Sequence, residues 1–253
     1  VWEQAGFHLP QFDLDAVPEN TRKNPKWIHM GAGNIFRAFT AKVQQEILNA
    51  GKDDTGIIAA EGFDYEIIEK QYWPHDNLGI AVTLKADGTI EKDVIGRIVE
   101  SVTLNSENEQ QWGRLLEIFT APSLQMVSFT ITEKGYSLVN AKGEYYPDVV
   151  ADFANGPEKP KSYIGKVAGL LYARYKAGKL PVAMQSMDNC SHNGDKVRAG
   201  VLAYATRWVN DGLVPAEFLA YLKDETKITF PWSMIDKITP RPHEKVKEML
   251  AED

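Results

Sequence analysis

Hydrophobic positions along the chain follow two rhythms. Short apolar runs at residues 26–30, 57–60, 124–131 and 181–187 are bounded by turn-forming residues, the pattern of strands buried on both faces. Between them lie stripes that recur every three to four residues. Ile35, Ala38, Phe39, Val43, Ile47 and Leu48 form one, and Trp112, Leu115, Leu116 and Phe119 form another within residues 107–119. Further helices are predicted over 162–176, capped by Ser162 and closed by Gly178, and over 195–210 and 215–222. This alternation predicts an α/β fold with a mostly parallel sheet. Residues 80–104 break the rhythm: Ile80, Val82 and Leu84 alternate, Asp87-Gly88 marks a tight turn, and Ile90, Val94, Ile95, Ile98 and Val99 follow. The whole stretch reads as a small antiparallel hairpin insertion, and Lys142-Gly143 reads as the tip of a second, smaller hairpin. Residues 1–25, polar and punctuated by proline, read as an extended arm packed on the domain formed by residues 26–240. Residues 241–253 read as the start of a helical domain that continues beyond Asp253.

The first strand runs directly into Gly31-Ala32-Gly33-Asn34-Ile35-Phe36-Arg37, where helical periodicity begins. Strand, Gly-x-Gly turn and helix in that order is what a Rossmann-type dinucleotide site requires. Gly31 permits the turn, and Gly33 lets backbone approach a pyrophosphate. The N–H groups of the following helix, from Asn34 and Ile35 onward, point at the anion. Phe36 stands where the usual third glycine would be, and it is expected to pack against the sheet. A bare strand-to-helix turn would account for the glycine pair alone equally well. The second strand ends on Glu61, 28 residues beyond Gly33, with Asp64 three residues further. A carboxylate at that strand end accepts hydrogen bonds from an adenosine ribose and repels a 2′-phosphate, which favours NAD over NADP.

Composition narrows the field. The 253 residues carry a formal net charge of −7, which argues against nucleic acid as a partner. No apolar run approaches the roughly 18–20 residues needed to span a membrane, and the chain does not open on a basic-then-apolar signal segment, so a cytoplasmic protein is expected. Cys190 is the only cysteine, and the five histidines include no His-x-x-x-His pair, so no metal site is expected. His29 lies inside the first strand and reads as a core histidine satisfied by a neighbour.

In an open α/β sheet, ligands sit at the carboxyl ends of the strands. The richest such end is Asp188-Asn189-Cys190-Ser191-His192-Asn193-Gly194-Asp195. A self-bonded turn would explain two of these residues; a site better explains the whole cluster.

Four segments resemble the mannitol dehydrogenase family of long-chain polyol dehydrogenases and hexuronate reductases. They are residues 31–39, Thr130-Ile131-Thr132-Glu133-Lys134-Gly135-Tyr136, residues 186–194, and the stretch from Phe230-Pro231-Trp232 through Asp236 to Pro240. The resemblance implies a Rossmann domain for NAD or NADP, followed by a helical substrate domain. It implies that Asn189 polarises the substrate oxygen, that Glu133 lies near the reacting centre, and that Asp236 lies near the nicotinamide end. The substrate class it implies is a polyol, ketose or hexuronate. Two positions depart from the pattern. The family's general base is a lysine in Lys-x-x-x-x-Asn-x-x-His; here Asn189 and His192 are preceded by Met184, so the lysine is expected beyond Asp253. Phe39 stands where polyol-dehydrogenase members carry histidine, which leaves the substrate open. An S-adenosylmethionine-dependent methyltransferase, or a non-catalytic nucleotide-sensing module, would also place glycines and a carboxylate at these strand ends.

Overall fold

The structure, a computed structural model, describes residues 1–240 and 243–252. Among the described residues nine strands form two sheets: β1 Phe7–His8, β2 Trp27–Met30, β3 Ile57–Glu61, β4 Gly79–Leu84, β5 Ile90–Ile95, β6 Ile98–Thr103, β7 Met126–Phe129, β8 Val182–Ser186 and β9 Ile228–Thr229. The large sheet has the order β6-β3-β2-β7-β8-β9, and every pairing in it is parallel. Side chains alternate across it. Ile58 and Ala60 pack with the helices Glu109–Thr120, Tyr163–Lys176 and Asn193–Asn210, whereas Ile57 and Ala59 pack with Phe36, Ala41, Ile68 and Tyr72. The chain therefore leaves β2 and β7, which lie side by side, toward opposite faces. That divergence opens a crevice at their carboxyl ends, the switch point where doubly wound sheets bind ligands.

Three expectations change. β4 and β5 form the anticipated hairpin in a three-stranded sheet of order β1-β5-β4, but residues 98–103 do not belong to it. They form β6, parallel to β3 at the edge of the large sheet. Only Gly96 and Arg97 separate β5 from β6, and Ile98 and Val99 are both buried, so the strict alternation of a half-exposed strand ends there. The arm is only partly extended: Ala16–Lys23 is helical, with Pro18 accommodated in its first turn and Val17 packed against Leu48 and Val99.

The helix after the glycine turn also departs from plan. Phe36–Thr40 is a wide π-helical turn, followed by regular helix over Ala41–Asn49. One extra residue in a turn rotates everything after it by about 100°. Val43 and Ile47 accordingly face solvent, while Gln44 and Gln45 turn inward. Their amides satisfy backbone there: Gln44 donates to Thr55 O, and Gln45 donates to Val94 O while accepting from Gly96 N–H. None of the described helices is long and apolar enough to cross a membrane.

Candidate functional site

The glycine turn is fixed by its surroundings. Gly31 has φ +106°, and a Cβ there would lie 2.2 Å from the Thr130 carbonyl oxygen at the end of β7, so both conformation and proximity exclude other residues. Its N–H donates to Ala60 O at 2.7 Å. Ala32 is held on both sides: its N–H donates to Glu61 Oε2 at 2.9 Å, and its carbonyl accepts from the Tyr72 hydroxyl at 3.0 Å. Gly33 differs, since a Cβ there would meet nothing within 4 Å. The space over Gly33 is open, at the start of a helix whose first N–H groups have no intrahelical acceptor. Arg37 is anchored beside this opening, donating to Asn34 Oδ1 and Gln71 Oε1. Ile35 is half-buried.

Beneath the turn, Phe36 is fully buried and its ring stacks on His29, with centroids 4.1 Å apart and planes 5° from parallel. His29 lies in the core as expected. Its Nδ1 lies 2.6 Å from Ser128 Oγ and its Nε2 2.8 Å from Thr130 Oγ1. Burial depresses its pKa from 6.5 to about 3, so the imidazole is neutral in the folded protein. The unfolded chain binds a proton near pH 6.5 that the folded chain refuses until about pH 3. The resulting stability is complete above pH 6.5 and is lost as pH falls through that window, at about 1.4 kcal/mol per pH unit. Urea unfolding measured from pH 7 to 4 is expected to show this extra acid slope in the natural chain and to lack it in His29→Gln.

Glu61 is engaged by backbone at the strand end where a ribose carboxylate is expected. It is only 5% exposed; Oε1 accepts from the N–H groups of Gly62 and Phe63, and Oε2 takes the Ala32 N–H. The carboxylate ties the end of β3 to the glycine turn. Asp64 is exposed, with Oδ1 capping Glu66 N–H at 3.1 Å. No pattern in the chain separates these two acids; only the fold does.

The loops after β7 and β8 meet on one carboxylate. Asp188 accepts from the N–H groups of Ile131 and Thr132 at 2.9 and 3.0 Å, and from the Tyr136 hydroxyl at 2.5 Å. Glu133 follows Thr132, which holds φ +65°, and Asn189 follows Asp188, so this clamp positions both. Glu133 is exposed and paired with Lys196 at 3.0 Å. Asn189 is exposed on the wall of a cleft of about 460 Å³ bounded by residues 188–192 and 232–235. Asn193, fully buried, closes its base: Nδ2 donates to the carbonyls of Asp188 and Ser233, and Oδ1 accepts from Ser233 N–H. His192 also lines the cleft, its ring 4.3 Å from that of Trp232. Asp236 lies exposed in the irregular segment that follows, next to Lys237, whose ammonium sits 5.3 Å from the Phe39 ring. The segment therefore reaches from the β8 end to the glycine-turn helix. Met184 is fully buried in β8. Asp188 and Tyr136 were contained in the polar segments, but their organising role depends on strand pairing that no local motif encodes.

Comparison with known proteins bears on this geometry. The family model described as the mannitol dehydrogenase Rossmann domain matches residues 25–252. A D-mannonate oxidoreductase of Thermotoga maritima is 51% identical over 250 residues, covering 99% of this chain and 46% of that protein. A mannitol 2-dehydrogenase of Cereibacter sphaeroides is 30% identical, covering 93% of this chain and 46% of that protein. The solved structure of Pseudomonas fluorescens mannitol 2-dehydrogenase, a ternary complex with NAD and D-mannitol, aligns with a TM-score of 0.79 at 27% identity, over 98% of this chain and 47% of that one. The chain spans about half the length of the curated relatives it matches.

Proposed function

Because the chain belongs to the mannitol dehydrogenase family, we propose that it is the cofactor-binding part of an NAD-dependent oxidoreductase acting on a polyol, ketose or hexuronate. The observation that carries this reading is the all-parallel order β6-β3-β2-β7-β8-β9, with a glycine turn at the switch point and open space over Gly33. A dinucleotide fits that opening, and when bound it supplies the hydride acceptor or donor. The free N–H groups of residues 33–36 would hold its pyrophosphate, and the Asp64 carboxylate would take the adenosine ribose. At the other end of the crevice, the Asn189 side-chain N–H stabilises charge on the substrate oxygen, and Glu133 orders water for proton movement. Asp236 lies toward the nicotinamide. Among these substrates, the 51% identity to a D-mannonate oxidoreductase favours the mannonate–fructuronate type. We place the dinucleotide domain at residues 26–240, with 1–25 packed on it and 241–253 leading into a helical substrate domain of a cytoplasmic protein.

The test is ligand binding. NADH is expected to raise the melting temperature and to quench tryptophan fluorescence, whereas S-adenosylhomocysteine does neither; the reverse result would replace this reading with a methyltransferase. NAD is also expected to bind better than NADP. Asp64→Ala should narrow that gap about tenfold, or about 1.4 kcal/mol, the equivalent of one pKa unit. Titration of both cofactors against both proteins checks it, and a natural preference for NADP would contradict it.

A further inference from the structure

Tyr163 opens the helix Tyr163–Lys176, and its ring lies against the end of β3. A Cβ added to Gly62 would stand 2.5 Å from Tyr163 Cε2, so glycine is what lets the ring in. The ring of Phe63, 61% exposed, stacks on its outer side with centroids 4.5 Å apart. Tyr163 itself is only 8% exposed, and among the described residues its hydroxyl has no hydrogen-bond partner. The neighbouring phenols behave differently: Tyr65 donates to Leu104 O, Tyr72 to Ala32 O and Tyr136 to Asp188. A buried hydroxyl without a partner weakens a fold, so packing alone would be better served by phenylalanine. Burial, together with the charges of Glu61 and Asp188, pushes its pKa well above the ordinary value, so the hydroxyl remains a donor. Those two carboxylates mark the strand ends on either side of the crevice. Glu61, the acid expected to meet a ribose there, is already engaged by backbone N–H groups.

We propose that the Tyr163 hydroxyl donates a hydrogen bond to the adenosine ribose of the dinucleotide, with Phe63 as the movable ring that covers it. This rests on the dinucleotide reading above. Tyr163→Phe removes one oxygen and no internal hydrogen bond, so the melting temperature of the free chain should hold or rise. The Kd values for NADH and for AMP, which carries only the adenosine end, should both increase about five- to tenfold, as expected for one lost hydrogen bond. Unchanged Kd values in a variant of a chain that binds NADH would overturn the inference and leave the dinucleotide reading standing. A lower melting temperature with unchanged affinity would overturn it too, by showing that the hydroxyl serves the fold. Loss for NADH without loss for AMP would overturn the assignment to the adenosine end. Failure of the natural chain to bind NADH would remove both readings together.

Discussion

Gly33→Val is expected to abolish NADH binding while the protein stays folded. The two halves of that result have separate causes. A side chain at residue 33 projects into space that no protein atom occupies within 4 Å, so the fold loses no packing and gains no clash. On the proposed reading, a pyrophosphate comes close to backbone N–H groups in that same space, and two added methyl groups would hold it beyond hydrogen-bond reach. Losing several charge-assisted hydrogen bonds, each worth about 1.5–3 kcal/mol, weakens binding at least a hundredfold. Fluorescence titration with NADH gives the affinity, and circular dichroism with thermal melting reports the fold. A folded Gly33→Val protein with natural NADH affinity would put the pyrophosphate elsewhere.

The second large effect concerns turnover. The 253-residue chain on its own is expected to bind NADH and yet show no measurable conversion of mannitol, fructose, mannonate or fructuronate. Moving a hydride from an alcohol carbon requires a base to take the hydroxyl proton, and a positioned base contributes about 10²–10⁴-fold. The groups around the cleft do not supply one. An asparagine amide such as Asn189 is no base, Glu133 is tied to Lys196, and the His192 ring rests against Trp232. Met184, where the family's lysine spacing would fall, is inside the sheet. Following NADH absorbance with each substrate tests the expectation. Robust turnover that vanished in His192→Ala would make that histidine the base and this chain sufficient for catalysis.

Much of the scaffold could be read from local pattern. The glycine turn, the packing of Phe36 beneath it and the core placement of His29 follow from strand–turn–helix order and from a histidine within an apolar run. What escaped depends on partners distant in sequence. The apolar stripe through Val43 and Ile47 looked inward because a regular helix was assumed, and one π-helical turn rotates it to solvent. β6 looked like the end of a hairpin because hydrogen bonding to β3, some 40 residues earlier, leaves no mark on a ten-residue window. Glu61 and Asp64 are chemically alike in the sequence; which one is consumed by backbone N–H groups is decided by how the β3 end meets the Gly31–Gly33 turn.

The clamp built on Asp188 has a consequence for how such a protein can diversify. One carboxylate fixes the separation between the residue after Thr132 and the residue after Asp188. The opposite wall, residues 232–235, is attached chiefly through Asn193 and runs in irregular backbone. Substitutions there can reshape the cleft without disturbing the spacing of Glu133 and Asn189. Changes that reach Asp188 or Tyr136 would unsettle both loops at once. Variation is therefore tolerated more readily along one wall, and drift along the other is penalised twice over.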